Sequence, residues 1–289
     1  MRFTKMHGCG NDYIYINCFE EQAADPERLA VAVSDRHFGV GADGLVLICP
    51  SDTADFKMRM FNADGSEGKM CGNAARCVAK YVYDFGMTQK DVIALETLAG
   101  IKRIQLHAKN GKMAAATVDM GAPLLRPEEI PARAEQLEGL TAIVGQHLGL
   151  PDDNDLDVTC VSMGNPHCVA FVEDTEAFPL ETVGPLIERH AWFPERVNAE
   201  FVRVIGRTEL QMRVWERGSG ETWACGTGAC ASAVACVLNG RCDKDADITV
   251  HLRGGDLVIR WDSARDTVLM TGPAAFVCRG ELLLEQAAR

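Results

Sequence analysis

At 289 residues the chain is long enough for one large domain or for two of ordinary size, each with its own core. Hydrophobic residues make up 47% and charged ones 24%, with no low-complexity tract, a composition that excludes a mostly disordered protein. Lys and Arg number 29 against 41 Asp and Glu, and the resulting formal charge of −12 argues against nucleic acid or an anionic membrane as partner.

The opening MRFTKMHGCGND lacks the features of a signal peptide, and no stretch approaches the ~18 apolar residues that span a bilayer, so the chain reads as cytoplasmic. Short β-rich runs follow at Tyr13–Asn17, Leu45–Cys49, Met58–Asn62, Val92–Thr97 and Ile101–Ala108, separated by Gly, Asp and Asn turns. Most of these runs alternate poorly, which predicts sheets wrapped around a buried helix. That helix is predicted after Cys71-Gly72, with Asn73 as its N-cap and Gly86 as its stop. Between Met120 and Cys160 the chain is acidic and proline-containing, which suits a domain boundary. Strand runs resume at His167–Asp174, Ala199–Gly206, Leu210–Glu216, Ile248–Leu252 and Asp256–Trp261. A second apolar helix is predicted after Cys225-Gly226, with Thr227 as cap and Asn239-Gly240 as stop.

The second set of elements repeats the first. MRMFNADGSEGKMCGNAARCVA, starting at Met58, aligns without a gap on MRVWERGSGETWACGTGACASA, starting at Met212, an offset of 154. The pairs 58/212, 59/213, 67/221, 71/225, 72/226, 75/229 and 79/233 are identical, seven of 22 positions. Chance would give about one or two. The same offset pairs Gly10-Asn11 with Gly164-Asn165, so common descent of two halves is the better explanation.

Each half therefore carries one thiol at a helix start. A helix N-terminus stabilises a thiolate, and its unpaired amides hold a carboxylate. Two such ends facing a shared cleft would grip one α-carboxylate, with one thiolate removing the α-proton and the opposite thiol delivering another. A lone cysteine at a helix start is ordinarily a small buried hydrophobe; two in register within a duplication reverse that presumption. The other ten of the twelve cysteines are expected to be buried or free thiols, and no CxxC spacing suggests a metal site.

With KMHGCGNDYIYIN, RHFGVGADG, FNADGSEGKMCGNAARC, VDMGAP, MGNPHCV, RVNAEFV, RVWERGSGETWACGTGACA and TGPA in hand, the chain resembles the diaminopimelate epimerase family over nearly its whole length. The resemblance implies an α+β fold of two pseudo-symmetric domains, each a barrel-like, mostly antiparallel sheet around a central helix. Residues 1–120 would form the first domain, completed by a returning strand at 275–289, and residues 121–274 the second. It implies a cytoplasmic homodimer that uses neither pyridoxal phosphate nor metal and converts LL-2,6-diaminopimelate to meso-diaminopimelate, on the route to lysine and peptidoglycan precursors. Cys71 would be the proton donor and Cys225 the acceptor in that direction. Substrate contacts would fall on Asn11, Asn62, Gly72, Asn73, Asn165, Asn198, Glu216, Arg217, Gly226 and Thr227, with His167 and Glu216 tuning the thiols. Neutral amides pair with both ammonium and carboxylate groups, and Arg217 offers a fork for a distal carboxylate.

There are departures from the family pattern. Gly44 stands where a glutamine is common, Cys278 where an aromatic is common, and the stretch Ala134–Asp157 is longer and more acidic, read as an outer loop of the second domain. Three rivals are a proline-racemase-like enzyme, a protein with a Cys71/Cys225 switch disulfide, and a pyridoxal-dependent enzyme. The polar cluster suited to a two-headed substrate disfavours the first; inversion without added cofactor would exclude the second, and absence of the cofactor's visible absorption in pure protein the third.

Overall fold

The computed structural model describes residues 1–152 and 154–283. The chain divides into two compact units, one formed by Met1–Val118 with the segment from Gly272 onward, the other by Asp119–Thr271. The first unit contains β1 (Arg2–Gly8), β2 (Asn11–Asn17), α1 (Pro26–Ser34), β3 (Gly44–Cys49), β4 (Phe56–Asn62), β5 (Glu67–Gly68), α2 (Gly72–Asp84), β6 (Val92–Thr97), β7 (Gly100–Lys109) and β8 (Lys112–Gly121). The second contains β9 (Gln146–Leu148), β10 (Leu156–Ser162), β11 (Pro166–Phe171), α3 (Leu180–Glu188), β12 (Asn198–Gly206), β13 (Glu209–Glu216), β14 (Gly220–Thr222), α4 (Gly226–Leu238), β15 (Ile248–Leu252), β16 (Gly255–Asp262) and β17 (Thr267–Gly272). The chain then returns to the first unit with β18 (Ala275–Glu281), which pairs antiparallel with β1. Residues 284–289, at the end of the strand expected over 275–289, lie outside the described residues.

In the first unit the ladder runs β18, β1, β2, β3, β4, β6, β7, β8, with β5 also on β4. Among the described residues only β2–β3 and β4–β6 are parallel. The second unit runs β9, β10, β11, β12, β13, β15, β16, β17 with β14 on β13, again parallel at two places, β11–β12 and β13–β15. The offset of 154 carries into the helices without slippage: α1 maps onto α3 and α2 onto α4 from first residue to last.

Each sheet wraps one largely buried helix. Helix α4 packs on β10, β11, β12, β13, β15 and β16, and α2 on β1, β4 and β7. In β2 and β3 both faces are buried, because Ile14, Ile16, Leu45 and Leu47 cluster with Ala30 and Val33 of α1 while Tyr15 lies against Cys77 of α2. Two-sided burial is why these strands do not alternate. The exposed residues of β7 do alternate, since that strand has one wet face.

The stretch 134–157 differs from the outer loop expected of it. Leu137, Ile143, Leu148 and Leu150 enter the core of the second unit, and β9 pairs with β10. Its acidic residues are solvated while its leucines are not, so composition alone misjudged it; Asp153 lies outside the described residues.

Candidate active site

Both predicted cysteines occupy the N-cap itself. Cys71 precedes α2 and Cys225 precedes α4, each in extended backbone, and each sulfur accepts the N–H three residues on: Ala74 at 3.5 Å and Gly228 at 3.3 Å. Asn73 and Thr227, expected as caps, instead lie inside the first turns. Sulfur is doing here what a Ser or Asp oxygen does in most helices, which leaves the thiolate form stabilised by the amide and by the helix dipole.

In the first unit, β2 and α2 bring Asn11, Cys71 and Asn73 together. The Asn11 Oδ1 accepts from Cys71 Sγ at 3.6 Å and from Asn73 Nδ2 at 3.2 Å, while Asn11 Nδ2 donates to Asp43 at 2.8 Å. Behind them lies Arg76, fully buried, donating to Asn73 Oδ1 at 2.8 Å, the Gly72 carbonyl at 3.2 Å and the Pro273 carbonyl at 3.2 Å. Tyr13 is buried beside Asn11 and Cys71; burial, then the nearby thiol, pushes its hydroxyl well above the usual tyrosine range. Asn62 stands apart, its side chain donating to Ser66 at 2.9 Å within its own turn. Gly44 pairs with Asn62, and a Cβ there would sit 2.1 Å from the Phe61 carbonyl oxygen, so this backbone admits no larger residue.

In the second unit, a chain of contacts runs from β12 through β11 to α4. His167 Nδ1 and Glu200 Oε1 are hydrogen-bonded at 2.6 Å; His167 Nε2 is 3.1 Å from Asn165 Oδ1; Asn165 Nδ2 donates to Thr227 Oγ1 at 3.3 Å; that hydroxyl is 3.4 Å from Cys225 Sγ. Burial, then the Glu216 and Glu200 carboxylates, push the Cys225 thiol well above its usual range, with the Thr227 hydroxyl and Gly228 N–H pulling the other way. Burial likewise raises Glu216, whose carboxylate accepts from the Thr222 hydroxyl. Asn198 and Arg217 form a separate group: Asn198 Nδ2 donates to the Pro166 carbonyl at 3.0 Å, its Oδ1 accepts the Arg217 N–H at 3.0 Å, and Arg217 Nη1 donates to the Glu195 carbonyl at 3.1 Å. Gly226 and Thr227 supply first-turn amides, as Gly72 and Asn73 do in the first unit.

Tyr13, Arg76, Glu188 and Glu200 were not singled out from the sequence. The 154 offset held a signal for Tyr13, whose counterpart is His167, and a charge inside an apolar run was the signal for Arg76 and Glu200. Among the described residues, His167, Glu200 and Cys225 are the one group whose ligand atoms, all within 4.8 Å, could hold a metal ion; doing so would break the hydrogen bond between His167 and Glu200.

Comparison with known proteins supplies a family. The diaminopimelate epimerase family model matches residues 3–125 and 159–277. A diaminopimelate epimerase of Acetivibrio thermocellus is 59% identical over 99% of this chain and 100% of its own length. One from Agathobacter rectalis is 53% identical over 98% and 99%. Among solved structures, a PhzF-family phenazine biosynthesis protein of Bacillus anthracis superposes with a TM-score of 0.72 at 17% identity, covering 98% of this chain and 99% of its own. A hydroxyproline epimerase from Agrobacterium vitis gives 0.72 at 15% identity, covering 99% and 93%. The structural likenesses speak for the two-unit fold alone. The family match over both halves and the near-full-length identities go further: this chain belongs to the diaminopimelate epimerase family, a family of isomerases.

Proposed function

We propose that this protein interconverts LL-2,6-diaminopimelate and meso-diaminopimelate by a two-base mechanism that needs no cofactor, with Cys71 and Cys225 as the bases. The observation that carries the reading is the double one: two thiols, each the N-cap of a largely buried helix, stand at equivalent positions of two units with the same strand order. Inversion by two bases requires one thiol on each face of the α-carbon. In the LL to meso direction the Cys225 thiolate takes the α-proton, the electron pair stays on carbon and spreads into the carboxylate, and the Cys71 thiol gives its proton to the opposite face; the reverse reaction exchanges the roles. First-turn amides at Gly72, Asn73, Gly226 and Thr227 hold the carboxylate and the charge that develops on it.

At rest Cys225 carries its proton, so acting as acceptor requires that proton to leave first; the Thr227 hydroxyl and Gly228 N–H then hold the thiolate. His167 and Glu216 adjust that balance. Asn11, Asn62, Asn165 and Asn198 read the ammonium and carboxylate groups, and the exposed Arg217 takes the distal carboxylate. The same reading makes the protein a cytoplasmic homodimer serving lysine and peptidoglycan-precursor synthesis.

The test is incubation of reduced, metal-free protein with LL-diaminopimelate in deuterated water, followed by chiral separation. New meso product should carry solvent deuterium at the inverted carbon, because the donating thiol exchanges with water. Cys71→Ser and Cys225→Ser should each lower epimerisation by about a thousandfold or more while melting near the wild type, since a hydroxyl is a far weaker acid of similar size. Product that keeps the substrate's own hydrogen, or near-normal rates in either variant, would end the two-base scheme.

A further inference from the structure

Glu188, the last residue of α3, is a carboxylate only 3% exposed that serves neither thiol. Its two oxygens tie three segments together. Oε2 accepts from Trp215 Nε1 at 2.8 Å, and Oε1 accepts from the Gly218 N–H at 3.1 Å and from Arg196 Nη1 at 3.3 Å. Trp215 and Gly218 flank Glu216 and Arg217, so the carboxylate clasps both shoulders of the turn that presents the guanidinium. Other bonds in the same bracket hold Arg217 directly: its N–H goes to Asn198 Oδ1 and its Nη1 to the Glu195 carbonyl. Arg196, between those two, adopts a left-handed φ of 61°, a conformation a non-glycine residue keeps only when its surroundings demand it. Burial pushes the Glu188 carboxyl up, but the Trp215 and Gly218 donors and the neighbouring guanidinium outweigh it, and the group stays ionised.

The duplication gives an internal control. At the 154 offset Glu188, Trp215 and Arg217 correspond to Ser34, Phe61 and Ala63. Where the turn has no cation, the indole N–H is gone and the carboxylate is gone with it; Ser34 Oγ, buried at the same helix end, makes no hydrogen bond among the described residues. The indole N–H, the carboxylate and the cation are present together in the second half and absent together from the first.

We infer that Glu188 is a positioning residue that aims Arg217 at the distal carboxylate of a two-headed amino acid, and so sets the selectivity for such a substrate. This rests on the reading of Arg217 given under Proposed function. Glu188 touches no reacting atom; its loss should cost ground-state and transition-state binding alike and leave proton transfer intact.

The experiment measures kcat and KM for LL-diaminopimelate in Glu188→Gln, Glu188→Asp, Arg217→Gln and the Glu188→Gln/Arg217→Gln double variant, with a thermal melt of each. Glu188→Gln should raise KM about tenfold, the scale of one charge-assisted hydrogen bond, with kcat within about twofold. Glu188→Asp should recover part of the loss. The double variant should be no worse than Arg217→Gln alone, because a residue acting through Arg217 has nothing left to position. A fall in kcat at constant KM, or losses that add in the double variant, would overturn the assignment of Glu188. If Glu188→Gln melts below the assay temperature, Glu188→Asp and its Arg217→Gln double carry the same comparison. An Arg217→Gln enzyme with wild-type KM would instead bring down the reading of Arg217, and the inference with it.

Discussion

Cys77 shows how a thiol inside the same helix as Cys71 comes to have a different chemistry. Nearly two turns further in, it is fully buried, and burial pushes it from 9.0 up to about 12, the Tyr15 hydroxyl and then the Arg76 charge offsetting only part. A folded value above the unfolded one means the fold prefers the protonated form. The stability this lends is fully present below pH 9 and is lost as pH climbs towards 12, amounting to roughly 4 kcal/mol at full effect. Urea midpoints measured between pH 8 and 11 should therefore fall steeply, and Cys77→Ala, though less stable at pH 7, should show a flatter decline; an unchanged slope would mean other groups dominate. Cys71 and Cys225 were legible in the sequence because a duplication flagged them, whereas their capping role was not. Thiols stand outside the usual Ser, Thr, Asp and Asn preference, so Asn73 and Thr227 drew the assignment. Glu188 left no mark and Glu200 only that of a charge in an apolar run, because His167 for Glu200, and Trp215 and Gly218 for Glu188, lie more than 25 residues away and only the fold delivers them.

The two central helices match in length and position, and one of the places where their residues differ is the third. Ala74 stands in α2 where α4 has Gly228, and the strand residue facing the latter is Glu200, whose counterpart at the 154 offset is Val46. A Cβ on Gly228 would lie 2.7 Å from Glu200 Oε1 and 3.2 Å from Cys225 Sγ. Gly228→Ala would improve helix propensity by ~1 kcal/mol yet force the buried carboxylate out of line with His167. We expect kcat/KM to drop at least about tenfold with a melting temperature little changed, because propensity and clash oppose each other in stability but not in geometry. Full activity in the alanine variant would show that the Glu200 contact is expendable. The strand order behind these helices was only partly readable. Runs such as Leu45–Cys49 and Ile248–Leu252 announced themselves by β-branched and apolar content, while β9 has three residues and β5 two, too short to leave a pattern.

Taken as a whole, the chain does not build its units in the order in which it names them. The first unit needs β18 against β1 and the Pro273 carbonyl against Arg76, and both come after the entire second unit. During synthesis, residues 119–271 can therefore close their core while the earlier part still waits with the β18 side of β1 unpaired. A chain stopped after Thr271 should release, under limited proteolysis, a resistant fragment beginning near residue 119 while residues 1–118 are digested; protection of both would show that β18 is dispensable for the first fold. The ribosome thus emits one thiol in a finished setting and the other in an unfinished one. Arg76, which sits behind Gly72 and Asn73, gains its Pro273 acceptor only when translation has passed residue 273, so under the proposed two-base scheme a prematurely terminated chain would hold one of its two bases in an unfinished setting.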